Sequence, residues 1–221
     1  MELNAITLWL FSTFEKFDMN LALFFHKLYD FAGWFFTPFF EFVSFLGYYG
    51  IILVTLSIAL MFFRKTRKYG TAMLLGAAIG ALFTNCVLKI LIARPRPFSD
   101  QAAELLGTRL YYDLWLTVGQ NIEVDGSFPS GHTTFAFATM IPVFLLGNKK
   151  YSWAALIFSF VTAVARTYLM VHFASDVLGG IIVGTISGIL GTMIALKLPA
   201  SYYRFEFRKR KKKAGGKHCS V

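Results

Sequence analysis

The sequence predicts an all-α membrane protein: a helical bundle of five to six transmembrane helices with an amphipathic, interfacial helix at the N-terminus. Three observations predict it. Of 221 residues, 56% are hydrophobic and only 15% charged, against about 45–50% and about 25% in soluble domains. Five apolar segments approach the length that a bilayer core requires. The basic excess, a formal net charge of +10, lies in alternate linkers. Such a chain is neither an ordinary soluble enzyme nor a disordered one. Two cysteines, Cys86 and Cys219, make neither a disulfide framework nor a zinc site.

Residues 1–46 form the first region. From about residue 8 to 45 it is rich in Phe, Trp and Leu, yet carries Glu15, Lys16, Asp18, His26, Lys27, Asp30 and Glu41. Apolar residues at helical spacing with charges between them suit one or two helices lying in the membrane interface. An additional span over residues 21–40 is the alternative. The start lacks a basic region of the kind that opens a cleavable signal peptide.

The core spans residues 47–197, with apolar segments at 47–63, 70–93, 132–147, 151–170 and 176–196. The second and fifth are long and clean; the first and third are short. Gly76-x3-Gly80 and Gly180-x3-Gly184-x3-Gly188 fit close helix packing, within the chain rather than across a dimer. Nothing in the sequence requires a homo-oligomer.

Linker charge sets the expected orientation. The 64–69 linker, the 148–150 linker and the tail from Lys197 hold 4, 2 and 9 Lys/Arg. Residues 94–131 hold three Arg and five acids, and 171–175 hold no charge with His neutral. The positive-inside rule places the basic set in the cytoplasm and the other two linkers outside. The basic tail, residues 198–221, reads as a topology determinant. No recognition fold accompanies it, so nucleic acid is not an expected partner. Tyr111, Tyr112 and Trp115 in the long outer linker read as interfacial aromatics.

This topology gathers three polar clusters at the outer face. The first is Lys89 with Arg96-Pro97. Lys89 and Arg96 are two helical turns apart and share a face while the helix persists. Pro95 and Pro97 stop the span. The second is Ser127-Phe128-Pro129-Ser130-Gly131-His132, which reads as a helix start. Ser130 is the expected N-cap, Gly131 allows close backbone approach, and free amides there bind an anion. The third is Arg166, His172 and Asp176. The i, i+4 spacing lets the carboxylate hold one imidazole nitrogen and leaves the other as a nucleophile. Three cations, two histidines and an aspartate form the charge pattern that a transferring phosphoryl group needs. Each cluster alone is a weak signal; Arg94 or Lys89 by itself reads as a snorkelling anchor. Their conjunction at one face is specific.

The pattern Lys89-x6-Arg96-Pro97, Pro129-Ser130-Gly131-His132 and Arg166-x5-His172-x3-Asp176 resembles the type 2 phosphatidic acid phosphatase superfamily, the integral-membrane lipid phosphate phosphatases. The resemblance covers residues 47–197. One departure is Ala165, where the family often has Ser. The resemblance implies that His172 attacks phosphorus and forms a phosphohistidine, that Asp176 orients and charge-stabilises it, and that His132 protonates the leaving oxygen and then activates water. It implies that Lys89, Arg96, Arg166, Ser130 and the Gly131 amide hold the phosphate oxygens. No metal and no other cofactor is implied, and no carboxylate cluster beside these residues suggests Mg²⁺. The expected activity is metal-independent hydrolysis of a lipid phosphomonoester or diphosphate at the outer face of a bacterial plasma membrane. An outward site suits undecaprenyl diphosphate; phosphatidylglycerol phosphate, phosphatidic acid and a lipid phosphotransferase are the alternatives.

Overall fold

A computed structural model describes residues 4–47 and 50–204. The run Arg208–Lys213, most of the expected basic tail, lies outside the described residues. The elements are α1 (Ala5–Leu46), α2 (Ile51–Met61), α3 (Arg67–Ala81), a π-helical stretch (Leu82–Leu88), α4 (Lys89–Ile92), α5 (Asp100–Leu106), α6 (Leu110–Thr117), α7 (Gly131–Leu146), α8 (Lys149–Tyr168), α9 (Ala174–Lys197) and α10 (Ala200–Arg204). Among the described residues there is no strand, and the fold is an all-α membrane fold.

Each of the five apolar segments is helical. Two helices are long and apolar enough to cross a membrane by themselves: the run Arg67–Ile92 of 26 residues and Ala174–Lys197 of 24. α1 and α2 pass the same test only as a bent pair. Length and composition therefore pick out two or three spans where the sequence suggests five to six. The shortfall has a physical origin. α7 is only 16 residues long, and α7 and α8 carry Thr134, Thr139, Ser159 and Thr162, which lower their hydropathy. Each of these hydroxyls donates to a carbonyl one turn back, so none is left unpaired in an apolar setting.

Glycine sets the packing of the centre. α9 lies against α3 and α7, and α7 against α8. A Cβ on Gly184 would stand 2.5 Å from the Thr134 carbonyl, and one on Gly180 2.8 Å from that of Ser130. Gly76 faces Ala138 and Gly188 in the same way. The two glycine series thus serve contacts inside the chain.

α1 runs over one end of this bundle. Its backbone breaks at Ala32 (φ −154°, ψ 43°). Phe25 and Phe40 lie on opposite sides of the break, about 22 Å apart had the helix been straight, yet both touch the Tyr168 ring, with centroids at 6.1 and 4.7 Å. The Thr37 and Tyr168 hydroxyls are 2.9 Å apart. Thr7 donates to the Ile92 carbonyl and Phe11 packs on Phe173. These partners sit where α4 and α8 end and α9 begins. At the far end Arg67 and Tyr202, and Tyr69 and Leu146, are hydrogen-bonded, so the two basic linkers share the end opposite to α1.

The 94–131 linker is folded. Tyr111 and Trp115 are not interfacial: they are buried at 4% and 8% exposure. Tyr111 meets Phe173 and Trp115 stacks on Phe98, with its indole N–H on the Asn121 carbonyl. The aromatic side chains find a second apolar layer under α1, which the local sequence does not announce.

Candidate active site

The three clusters converge at the end covered by α1. Lys89 closes the π-helical stretch. α4 then stops at Ala93, which takes a left-handed conformation (φ 48°), costing roughly 1–2 kcal/mol for a residue other than glycine. Lys89 and Arg96 therefore do not share a helical face. The chain has already left the helix, and the two cations meet by a turn through Ala93 and Pro95. Both reach the same carboxylate, Asp125.

His172 lies in the linker between α8 and α9, 2% exposed. Met170 ahead of it is also left-handed (φ 54°), which turns the chain back into the site. The His172 ring has two defined partners. Nδ1 is 2.8 Å from the Ser127 carbonyl, and Nε2 is 3.0 Å from an Arg96 guanidinium nitrogen. A carbonyl only accepts and a guanidinium only donates. Nδ1 therefore carries the proton, and Nε2 presents its lone pair toward the cradle.

The Asp176 carboxylate is 3.7 Å from Nδ1, so the Ser127 carbonyl is the nearer acceptor. Asp176 acts on the ring at one remove: its Oδ2 takes bonds from the Ser127 hydroxyl and from the Phe173 amide, at 2.9 Å for the latter. The i, i+4 spacing is right, but the helix begins only at Ala174, leaving His172 outside its regular geometry.

Ser130 occupies the N-cap position of α7, as the sequence suggests, but its side chain makes no cap bond. Its hydroxyl accepts from Thr133 at 3.0 Å. Gly131 has open space where a Cβ would point, with only the Lys89 amine within 4 Å, at 3.8 Å. The first-turn amides of α7 have no intrahelical acceptor. Arg166 ends α8 at 2% exposure, held by the Ser44 hydroxyl of α1. Ala165, beside it, packs in the apolar cluster around Tyr168.

The sequence reading missed the cradle's own anions. Residues 123–125 belong to no helix; Glu123 and Asp125 both reach the cations of the site, while Val124 between them is 98% exposed. Glu123 bonds Arg166, stands 2.6 Å from Arg96, and lies 3.7 Å from His172 and 4.0 Å from His132. Burial alone would raise its carboxyl, but Arg166 and Arg96 outweigh that and hold it well below the usual carboxylate range. Two carboxylates thus occupy the positions where phosphate oxygens are expected. A cavity of about 200 Å³ opens beside them, lined by Lys89, Gly131, His132, Phe135 and Gly50. The available signal was the Glu-x-Asp alternation just ahead of the second motif. Among the described residues no cluster of His, Cys, Asp and Glu is arranged to hold a metal ion.

Known proteins resemble the chain in the same region. The family model described as the PAP2 superfamily matches residues 65–199. Undecaprenyl-diphosphatase BcrC of Bacillus subtilis is 30% identical over 148 residues, 66% of this chain and 69% of that protein. An undecaprenyl-diphosphatase of Sulfolobus acidocaldarius is 27% identical over 68% of each chain. A lipid A 4'-phosphatase of Bacteroides thetaiotaomicron is 27% identical over 83% of this chain and 79% of its own. No solved structure matches significantly. The matched residues hold all three motifs and the histidine with its lone pair turned to the arginines, and on both grounds the chain belongs to the PAP2 superfamily, as an enzyme of the membrane lipid phosphatase class.

Proposed function

We propose that this protein hydrolyses a lipid diphosphate, of the undecaprenyl diphosphate type, by a metal-independent phosphohistidine mechanism at the outer face of a bacterial plasma membrane. The observation that carries the reading is the His172 ring, whose Nε2 lone pair faces Arg96 and lies 3.7 Å from Glu123, the carboxylate that Arg166 and His132 also approach. The substrate phosphate takes the place of the Glu123 and Asp125 carboxylates on Lys89, Arg96 and Arg166. Nε2 attacks the terminal phosphorus; the bond from that phosphorus to the bridging oxygen breaks as His132 donates a proton to the bridging oxygen, and the lipid monophosphate leaves. His132 then takes a proton from water, the hydroxide attacks the phosphohistidine, and inorganic phosphate leaves as the N–P bond breaks. The arginines and the α7 amides stabilise the charge on the transferring group.

The names of two relatives, undecaprenyl-diphosphatases, support the diphosphate. A lipid phosphomonoester is the second reading, supported by the lipid A 4'-phosphatase that aligns with more of the chain. The outward orientation rests on the basic linkers, which share the end opposite the site.

The test is phosphate release by purified protein in EDTA over a panel of diphosphate and monophosphate lipids. Release is expected from the diphosphate, and His172→Ala should reduce it by more than 1,000-fold, on the order expected for a lost covalent nucleophile. Activity persisting in that variant would remove His172 from its role. Orientation has a separate check. A cysteine at Glu104, exposed on α5, is expected to react with an impermeant maleimide added outside whole cells; labelling only after lysis would reverse the topology.

A further inference from the structure

We propose that Asp18, on α1, is a positioning residue for the nucleophile, acting through Arg94 and Ser175 on Asp176. Asp18 lies 47 residues ahead of the segment matched by the family model, which begins at residue 65. The inference rests on the phosphohistidine reading above.

Four side chains make the connection, all buried: Asp18 at 3% exposure, Arg94 at 1%, Ser175 at 3% and Asp176 at 0%. Arg94 donates from one nitrogen to Asp176 at 2.5 Å and to the Ser175 hydroxyl at 2.7 Å, and from the other to Asp18 at 3.1 Å. Asp18 accepts from the Ser175 amide and from its hydroxyl, both at 2.7 Å. The Phe173 and Phe11 rings cover the guanidinium, 4.1 and 4.6 Å from its carbon. Arg94 therefore has one orientation and is shielded from water.

Two physical consequences bear on His172. The first is geometric. α9 starts after Phe173, whose side chain offers no cap acceptor, so the first-turn amides need partners from elsewhere. Asp176 supplies one to Phe173, and Asp18, from 157 residues away, supplies one to Ser175. The helix start that carries Asp176 and follows His172 is thus pinned by α1. The second is electrostatic. One guanidinium is shared by two carboxylates, so Asp176 is not fully neutralised by Arg94. The excess negative charge, partly offset by the α9 N-terminus, remains next to the ring that gains positive charge on attack. Without Asp18, Arg94 would pair with Asp176 alone and that excess would vanish. Asp18 touches none of the phosphate-binding side chains, so its effect belongs to the chemical step.

The test is steady-state phosphate release by Asp18→Asn, Asp176→Asn and the double variant in detergent, each with its melting temperature. Asp18→Asn is expected to lower kcat about tenfold with KM within twofold. On the Asp176→Asn background it should cause no further loss, because residues acting through one another are not additive. An unchanged kcat, a change confined to KM, or losses that multiply in the double variant would overturn the proposal and leave Asp18 a structural residue. Should Asp18→Asn fail to fold, Ser175→Ala removes the bridging hydroxyl and keeps every charge. It is expected to lower kcat about threefold, and full kcat in that variant would overturn the proposal too. Wild-type turnover is read first and by itself: if no lipid phosphate is hydrolysed, the functional reading has failed, independently of Asp18.

Discussion

His172 shows how much a single residue's partners decide. Its ring is neutral for a physical reason: burial first, and then Arg96 beside it, disfavour the imidazolium and push the ring down to about 4. In the unfolded chain the same ring titrates near 6.5. As pH falls from about 6.5 to 4 the unfolded chain takes the proton and the folded one does not, so folding weakens across that window and not above it. The loss attributable to His172 is about 3 kcal/mol. Unfolding free energies measured in detergent from pH 7 to 4 should show it, and His172→Ala should flatten that part of the curve. The sequence displayed this residue plainly, because histidine, arginine and carboxylate stand within one short motif. It did not display the Ser127 carbonyl as the ring's nearest acceptor. A backbone oxygen has no signature in a sequence, and the contact joins residues 45 positions apart.

At the scale of the element, the segment 123–125 lies across the entrance that the proposed mechanism requires. Glu123 is bound to the same arginines that the proposed reaction needs, so in that mechanism phosphate binds by exchange and not into open space. Because its carboxyl is held well below the usual range, with Arg166 the strongest favourable neighbour, mild acid will not release it. Glu123→Gln removes that charge. Inhibition by inorganic phosphate or vanadate is expected to tighten about tenfold, since one buried charge pair no longer competes; unchanged inhibition would show that the carboxylate does not compete. This segment was hard to foresee. In a linker with five acids, any one of them reads first as part of a lysine-poor, translocated loop. Only the fold shows that Glu123 and Asp125 pair with the cations of the site while Val124 faces out. α1 was half legible for a similar reason. Its charges and aromatic residues marked it as amphipathic, but Asp18 looks like any other polar-face acid until Arg94, itself read as an anchor, is found beneath it.

For the whole molecule, the helices and their order were readable because long apolar runs between basic linkers leave few alternatives. Boundaries held to within a few residues for α7, α8 and α9, and less well for α2, where Gly50 turns left-handed (φ 69°) and delays the helix. The polar ends were readable as a set, since three motifs at one end of a bundle must meet. What holds the centre together is the glycine contact between α7 and α9, and this makes a sharp prediction. Gly184→Ala would place a methyl 2.5 Å from the Thr134 carbonyl, where neither backbone has room to yield. Overpacking of this kind costs about 1–3 kcal/mol, and the melting temperature in detergent should fall accordingly. Gly107, whose added Cβ meets nothing within 4 Å, is unsuitable as a control because its φ is +63°. Exposed Leu196→Ala, near the far end of α9, is the better one and should leave the temperature nearly unchanged.

The π-helical turn at Leu82–Leu88 carries a consequence of counting. It accommodates one residue more than regular α-helix would over the same rise, and Lys89 follows it directly. Were those seven residues instead to close as regular α-helix, Lys89 would be carried on by one residue's turn, about 100° around the axis, taking its amine off the cradle while every motif residue remained in the chain. The site is therefore specified by the winding of one turn as well as by a set of letters, and a variant with every signature residue intact could still be inert.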